Sequence, residues 1–368
     1  MSRASDSGRV EVEPWDLLVV GGGTAGIVAA KTAARLGARA VLVEEHRTGG
    51  DCLWTGCVPS KSLLAAADVA AAARDGGRFG IDVGEVRVDL ARVMDHVRAA
   101  IRHIEPHDSP ASIEEVGASV LAGRVRLTGP TSAEARHPDG TSTPLRFRHA
   151  VLATGAAPAV PPIPGIEDVD VLTSDTVWDL RADPGRLVVL GGGAIGCELG
   201  QGFARLGVAV AVVEGADRLL PAEDPAAAAA VTRALAADGV DVRTGATVER
   251  VRPGHRSGDS PGSGVLVLEG GAEVPFDRLL VAVGRRPRTD DLGLDAAGVE
   301  VDDRGYVRVD ERLSTTNPRI RAAGDLTGHA QLTHVAGSHG SLAASNAVLG
   351  LRRTVDPVVP RVTYTQPE

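Results

Sequence analysis

Residues 49–61 of the chain read Gly49-Gly-Asp-Cys-Leu-Trp-Thr-Gly-Cys-Val-Pro-Ser-Lys61. Four residues separate Cys52 from Cys57, so one distorted helical turn can bring the two sulfur atoms to the distance that a disulfide requires. A helix that begins near Cys52 would also lower the pKa of the thiol, because backbone N–H groups and the positive end of the helix dipole favour the thiolate. The stretch therefore predicts a redox-active disulfide between Cys52 and Cys57.

Two other interpretations of the cysteines stay open, namely a pair of inert buried thiols or half of a structural zinc site. A structural zinc site usually takes four ligands in two close pairs, and the remaining cysteine, Cys197, stands far away in the sequence. Lys61 favours the redox interpretation. With Lys31 it is one of only two lysines in a chain that otherwise uses arginine, and a compact ammonium is not replaced by a planar guanidinium.

A glycine pattern near the start of the chain predicts a dinucleotide site. The apolar run Trp15–Val20 leads into Gly21, Gly23 and Gly26, and an Ala-rich helical stretch and a second apolar run follow, ending at Glu44. The three glycines permit a tight turn, a close approach of the backbone to a pyrophosphate, and close packing of helix on strand. The pyrophosphate would sit at the helix N-terminus, and Glu44 stands where a carboxylate can accept the ribose hydroxyls.

The same pattern recurs later in the chain. Gly191, Gly193 and Gly196 repeat the glycine spacing, and Glu214 takes the place of the acid at the end of the second apolar run. Both copies end in an apolar run stopped by glycine and proline, over residues 150–158 and 279–287. The sequence therefore predicts an α/β fold with two Rossmann-like dinucleotide-binding domains.

Composition and charge limit the class of function. A chain of 368 residues is too long for one core, and 43% hydrophobic residues with 45 glycines fit a tightly turned α/β protein. A formal net charge of −9 argues against a nucleic-acid partner, and the sequence shows no long apolar stretch that would indicate a membrane partner. We expect a cytoplasmic protein, and in a reducing compartment a catalytic disulfide is a better account of the cysteine pair than a structural one.

The Cys-x4-Cys-x-Pro-Ser-Lys core and the two glycine patterns resemble the FAD-dependent pyridine nucleotide-disulfide oxidoreductases, and the resemblance runs from Trp15 to Glu368. It implies an enzyme that passes electrons from NAD(P)H through FAD to the Cys52–Cys57 disulfide and on to a small-molecule or protein-bound disulfide or dithiol substrate such as lipoamide. By the resemblance, Cys57 contacts the flavin and Cys52 exchanges with the substrate. Lys61 would pair with Glu198 and stabilise negative charge on the reduced flavin, so the expected catalytic residues are these four, with no metal ligand.

The resemblance also implies a set of cofactor contacts for FAD and NAD. They are expected at Gly21, Gly23, Gly26, Glu44, Gly50, Lys61, Gly123, Thr154, Gly155, Gly191, Gly193, Gly196, Glu214, Gly284, Asp325 and Thr333. NADH is expected to be preferred over NADPH, because the Glu214 carboxylate can accept both ribose hydroxyls but would repel a 2′-phosphate. Arg218 could offset part of that repulsion.

The expected domains follow from these motifs. They are an FAD-binding domain in two parts, 14–157 and 286–352, an NAD(P)-binding domain inserted at 158–285, and the start of a dimerisation domain at 353–368. Proteins of this family continue into an interface domain that forms a homodimer and supplies a His–Glu acid–base pair from the partner subunit. The sequence lacks this pair, so we expect a fragment or truncated product whose full activity is in doubt.

Two rival functions remain open at this stage. One is a mercuric-ion reductase with a metal ion as the electron acceptor, and the other is an FAD-binding remnant without full turnover.

Overall fold

The computed structural model describes residues 13–254 and 262–368 of the chain. Within these residues the α-helices are α1 (Thr24–Arg35), α2 (Gly50–Trp54), α3 (Cys57–Asp75), α4 (Leu90–Ile104), α5 (Pro110–Glu114), α6 (Ala194–Arg205), α7 (Pro225–Ala237), α8 (Leu294–Ala297) and α9 (Thr333–Leu349). Short 3-10 helices lie at Gly76–Phe79, Glu105–Asp108, Ile166–Asp168, Val177–Asp179 and Gly324–Thr327.

The strands of the described residues follow the same numbering. They are β1 (Trp15–Val20), β2 (Ala40–Glu44), β3 (Ser119–Ala122), β4 (Arg124–Gly129), β5 (Ser132–Arg136), β6 (Ser142–Leu152), β7 (Ala156–Pro158), β8 (Val171–Thr173), β9 (Arg186–Leu190), β10 (Ala209–Val213), β11 (Asp241–Arg243), β12 (Val248–Pro253), β13 (Gly264–Leu268), β14 (Glu273–Phe276), β15 (Arg278–Val281), β16 (Arg285–Pro287) and β17 (Ile320–Ala322).

The described residues form two compact units. The first unit takes residues 13–49, 108–155 and 287–357, and the second takes 50–107, 358–368 and the described part of 156–286. Each unit therefore collects segments that are far apart in the sequence.

The first unit is built on a seven-stranded sheet in the order β3-β2-β1-β6-β5-β4, with β17 also pairing with β6. Strands β3, β2, β1, β6 and β17 run parallel to their neighbours, whereas β4, β5 and the start of β6 pair antiparallel. Leu17, Leu18 and Val19 of β1 are fully buried, as expected for a central parallel strand covered on both faces.

Helices α1 and α9 pack closely on one face of this first sheet. A Cβ atom at Gly340 of α9 would lie 2.1 Å from the carbonyl oxygen of Ala25, so the two backbones approach more closely than any larger residue allows. Small buried residues line both helices, among them Ala29, Ala33 and Ala344. This explains how a chain with only 2% aromatic residues still forms a dense core.

The second unit repeats the parallel architecture. A five-stranded sheet has the order β11-β10-β9-β15-β8, and all neighbouring strands in it are parallel. A separate three-stranded antiparallel sheet has the order β12-β13-β14. The Gly-, Ser- and Pro-rich composition of residues 252–264 predicts a hairpin tip on the second unit, and residues 255–261 of this stretch lie outside the described residues.

Helices α2, α3 and α4 belong to the second unit and share a core with α6. Leu53, Leu63 and Met94 are buried in the same cluster as Phe203 of α6. The predicted FAD domain, 14–157, includes this segment, whereas its packing joins residues 50–107 to the second unit. Compact units are defined by packing and cofactor domains by what they bind, so the predicted domain boundaries stay a prediction.

The α/β class with two Rossmann-like units is confirmed by this arrangement. Within residues 13–254 and 262–368, no helix has the length and apolar character needed to cross a bilayer.

Candidate functional site

The two cysteines of the redox segment lie on two consecutive helices. Cys52 is in the short helix α2 and Cys57 is the first residue of the 19-residue helix α3, and both side chains are half-buried. The break between the helices falls at Gly56, whose N–H donates to the carbonyl oxygen of Asp51 and whose Cβ, if present, would lie 2.9 Å from that oxygen. A helix break therefore separates the two cysteines, in place of the single distorted turn that the sequence predicts. A residue larger than glycine at position 56 would come too close to the Asp51 carbonyl oxygen.

The position of Cys57 favours a reactive sulfur. It stands at the N-terminus of a long helix whose first turn holds no acidic residue, so the N-terminal N–H groups and the helix dipole favour its thiolate. The disulfide with Cys52 stays a prediction.

Lys61 and Glu198 meet, as the resemblance implied. Lys61 Nζ lies 2.7 Å from Glu198 Oε2, and the side chains are 37% and 9% exposed, respectively. The other carboxylate oxygen of Glu198 accepts the backbone N–H of Tyr364 at 3.0 Å, and Lys61 Nζ lies 4.3 Å from the centroid of the Tyr364 ring. Tyr364 is therefore a third member of this cluster, and nothing in its sequence position had indicated that role.

Two further residues hold the redox segment and were also missed. The indole Nε1 of Trp178 donates to the carbonyl oxygens of Thr55 at 3.0 Å and Ser174 at 2.7 Å. Arg285 forms an ion pair with Asp51 and donates to the carbonyl oxygen of Ala156 at 2.6 Å. The Trp178–Thr55, Arg285–Asp51 and Arg285–Ala156 contacts each join residues more than a hundred positions apart, and no local pattern signals them.

The third cysteine, Cys197, lies where its thiol has low reactivity. Cys197 lies fully buried in α6, and its thiol donates to the carbonyl oxygen of Gly192 at 3.3 Å. Burial, followed by the negative charges of Glu198 and Glu214, raises the pKa of the Cys197 thiol to about 12. Among the described residues, no group of three or more His, Cys, Asp or Glu side chains is arranged to hold a metal ion.

The first glycine loop lies at the carboxyl end of β1 in the first unit. Gly21 has a φ of 103°, and a Cβ at Gly26 would lie 1.8 Å from the carbonyl oxygen of Gly21, so both positions require glycine. Glu44 at the end of β2 accepts the N–H of Gly22 through Oε2 at 2.5 Å and the N–H of His46 through Oε1 at 2.9 Å. These bonds fix the carboxylate beside the loop and leave lone pairs for ribose hydroxyls.

The other predicted cofactor-binding residues of the first unit lie near the carboxyl ends of neighbouring parallel strands. Gly123 follows β3 and donates its N–H to the carbonyl oxygen of Glu44 at 2.8 Å. Thr154 and Gly155 follow β6, and Asp325 follows β17. Predicted residues thus stand at the carboxyl end of each of the five parallel strands, at the sheet edge where α/β proteins bind dinucleotides. Thr333 begins α9 in the same unit.

The second glycine loop has the same geometry in the second unit. Gly191 after β9 has a φ of 111°, and a Cβ at Gly196 would lie 1.9 Å from the carbonyl oxygen of Gly191. Glu214 follows β10 and accepts the N–H groups of Gly192 at 2.6 Å and Ala216 at 2.7 Å. Gly193 stands directly before α6 as its N-cap, and Gly284 follows β15 with a φ of 138°.

Both loops fit a dinucleotide. At each, a glycine N-cap precedes the helix, no side chain caps the first turn, and a fixed carboxylate stands beside the loop. The N–H groups of the first helical turn suit a pyrophosphate, and a Cβ at Gly26 or Gly196 would collide with the backbone of the loop itself. Gly50, predicted as a further contact, begins α2 with a φ of 56°.

Comparison with known proteins shows the family of the chain. Residues 15–340 match the pyridine nucleotide-disulphide oxidoreductase family, and the chain belongs to that family. Its members typically use FAD and a pyridine nucleotide.

The chain is 37% identical to mercuric reductase of Bacillus cereus over 354 residues, which are 96% of this chain and 55% of that protein. It is 36% identical to dihydrolipoyl dehydrogenase of Chlorobaculum tepidum over 360 residues, covering 96% of this chain and 75% of that protein. A solved structure, the Cu(II) complex of the HOCl-induced flavoprotein disulfide reductase RclA from Escherichia coli, superposes with a TM-score of 0.79 at 29% identity, covering 91% of this chain and 71% of that one. The chain thus spans little more than half the length of its Bacillus relative.

Proposed function

We propose that the chain is the cofactor-binding and disulfide-bearing part of an NADH-dependent flavoprotein oxidoreductase. FAD, when bound, would relay two electrons from the reduced nicotinamide to the Cys52–Cys57 disulfide. The observation that carries the proposal is the placement of Cys57 at the N-terminus of α3 with Lys61 paired to Glu198 one turn further on.

Different residues of the chain would bind the two cofactors. Glu44 and the first turn of α1 would hold the ribose and pyrophosphate of FAD, and Glu214 and the first turn of α6 those of NADH. The guanidinium of Arg218 donates to the carbonyl oxygens of Glu223 at 2.9 Å and Pro221 at 2.8 Å. Because these contacts engage Arg218, it is a poor partner for a 2′-phosphate, which supports NADH.

The reduced cysteine pair would then reduce a disulfide substrate by exchange. The Cys52 thiolate attacks one substrate sulfur and releases the other as a thiolate, which takes up a proton. Cys57 attacks Cys52 in the mixed disulfide, so the Cys52–Cys57 bond reforms and the substrate leaves as two thiols. Lys61, held by Glu198, keeps a positive charge near the first turn of α3 during this sequence.

The electron acceptor has two candidates. A disulfide such as lipoamide is supported by the likeness to dihydrolipoyl dehydrogenases, and a soft metal ion by the likeness to mercuric reductases. The whole protein would act as a homodimer in the cytoplasm.

Thiol labelling after reduction tests the proposal. NADH added without oxygen to the FAD-loaded chain should make Cys52 and Cys57 available to iodoacetamide, and chain without FAD should show no NADH-dependent labelling. Rates of NADH oxidation with lipoamide, glutathione disulfide and Hg²⁺ then identify the acceptor. FAD-loaded chain whose cysteines gain no labelling on addition of NADH would refute the proposed electron path.

A further inference from the structure

An ion pair lies directly beside the first cysteine of the redox segment. Asp51 precedes Cys52 in the first turn of α2, and its carboxylate pairs with the guanidinium of Arg285. The Arg285 side chain is only 14% exposed, and that of Asp51 is 37% exposed. Arg285 is further fixed by its bond to the carbonyl oxygen of Ala156 at 2.6 Å, so the cation cannot swing away from α2 without losing two contacts.

The negative charge of Asp51 disfavours the thiol–disulfide exchange proposed for Cys52. A carboxylate one residue away disfavours formation of a thiolate, and exchange requires the thiolate. The positive charge of the Arg285 guanidinium cancels much of this effect. Since the guanidinium is largely buried, solvent and salt screen its interaction less than that of a surface pair.

We propose that Arg285 is a positioning residue for Cys52, which neutralises Asp51 and thereby keeps the Cys52 thiolate accessible for exchange. The proposal rests on the exchange role of Cys52 in the proposed function, but it concerns the charge balance of the segment and can be tested without electron transfer. The proposal also gives a role to the Asp51–Arg285 ion pair, which connects α2 to the strand β16 that begins with Arg285.

Other charged groups lie on the elements that pack against α2, among them Arg98 and Arg102 of α4, which add to the positive charge around Asp95. Helix α2 packs against α3 and α4, where Lys61 pairs with Glu198, Asp68 with Arg205, and Asp95 with Arg181. Cys57 opens α3, and Asp175 and Asp179 lie on the segment whose Trp178 contacts Thr55. All of these groups are unchanged in the variants below, so their effects cancel in the comparison.

The test is the pH dependence of Cys52 alkylation in the full chain carrying Cys57→Ser. Cys197 is fully buried, so Cys52 is the thiol that reacts with iodoacetamide, and mass spectrometry gives the rate between pH 5 and 10. Asp51→Asn should lower the midpoint of the profile by about 0.5 to 1 pH unit, and Arg285→Gln should raise it by a similar amount. At a pH below the midpoints, alkylation of Cys52 should be about 3- to 10-fold faster with Asp51→Asn and about 3- to 10-fold slower with Arg285→Gln.

Three further variants separate charge from structure. The double variant Asp51→Asn with Arg285→Gln should return to the parent midpoint, because both charges are gone. Arg285→Lys, which keeps the charge, should stay near the parent and serves if Arg285→Gln does not fold. Arg286→Gln removes the neighbouring exposed arginine and should leave the midpoint in place. Equal midpoints in all variants, or shifts of the same sign for Asp51→Asn and Arg285→Gln, would overturn the proposal.

Discussion

At the scale of single residues, the two acids Glu44 and Glu214 hold the same position in the two units. Each stands at the carboxyl end of the second strand of a Rossmann-like unit and accepts two backbone N–H groups, one of them from the glycine loop. The shared geometry means that a substitution at one acid is a matched control for the same substitution at the other.

Glu214→Ala should weaken the preference for NADH over NADPH. Removing the carboxylate ends the repulsion of a 2′-phosphate and the acceptance of the ribose hydroxyls, so the ratio of the two rates should fall by about tenfold, or about 1.4 kcal/mol. Stopped-flow rates of flavin reduction by each nucleotide measure this ratio. Glu44→Ala should weaken FAD binding and leave the ratio unchanged. A wild type that prefers NADPH would contradict the role given to Glu214.

Site residues whose role depends only on their neighbours in the sequence could be predicted from the sequence. Site residues that reach the redox segment from distant parts of the chain could not. Gly26 and Gly196 could be predicted because a tight turn into a helix leaves no room for a Cβ, and this constraint depends only on neighbouring residues. Trp178, Arg285 and Tyr364 contact the redox segment from distant parts of the chain, and only the folded packing brings them there.

At the scale of elements, helices α3 and α6 form the frame that holds the redox segment in the second unit. A Cβ at Gly202 of α6 would lie 3.1 Å from a methyl group of Leu64 of α3, so the helices are in close contact. Arg205 of α6 pairs with Asp68 of α3 at 2.6 Å, and Lys61 pairs with Glu198 across the same contact.

Lys61→Met should therefore loosen this pair of helices. Glu198, which is 9% exposed, would keep the Tyr364 N–H as a partner but lose its cation. We expect a loss of about 1 to 2 kcal/mol in the free energy of unfolding, less than for a fully buried pair because Lys61 is 37% exposed. Urea denaturation measures it.

Lys31→Met provides the control for this prediction. Lys31 is the other lysine of the chain and donates to Ser112 at 3.0 Å in the first unit. Equal urea midpoints for Lys61→Met and wild type would show that the Lys61–Glu198 contact adds nothing to stability.

The element order itself was accessible from sequence. Apolar runs followed by glycine predicted β1, β9 and the strands that close each unit, because a buried parallel strand needs a continuous apolar run and a turn to stop it. The break between α2 and α3 was not predicted. It depends on the hydrogen bond from Gly56 to Asp51, which the spacing of the cysteines does not reveal.

At the scale of the whole molecule, the packing of residues 50–107 with the second unit is the feature that sequence order concealed. The segment follows the first glycine unit directly in the chain, yet Leu53 and Leu63 are buried beside Phe203 of α6. Sequence repeats reveal which units are alike, but the assignment of an intervening helix to one unit depends on which apolar faces fit together.

Buried histidines give the molecule a stability that depends on pH. His339 of α9 is 7% exposed, and its ring meets that of His329 edge-on with centroids 5.9 Å apart. Burial, and secondarily the charge of His329, holds the pKa of His339 below its usual value of 6.5. Burial and the nearby charges of Arg321 and Arg319 act in the same direction on the pKa of His149.

Stability should consequently fall as the pH drops below 6.5. In that range the unfolded chain takes up a proton at His339 while the folded chain does not, so protonation favours unfolding until the pH reaches the depressed folded pKa. Each such histidine contributes at most about 1.4 kcal/mol per pH unit. Urea denaturation between pH 7.5 and 5.0, at constant FAD concentration, should show a steeper loss for wild type than for His339→Gln. The exposed His103 of α4 supplies the control, since His103→Gln should keep the wild-type slope. A slope unchanged by His339→Gln would mean that His339 takes up its proton equally in the folded and unfolded chain.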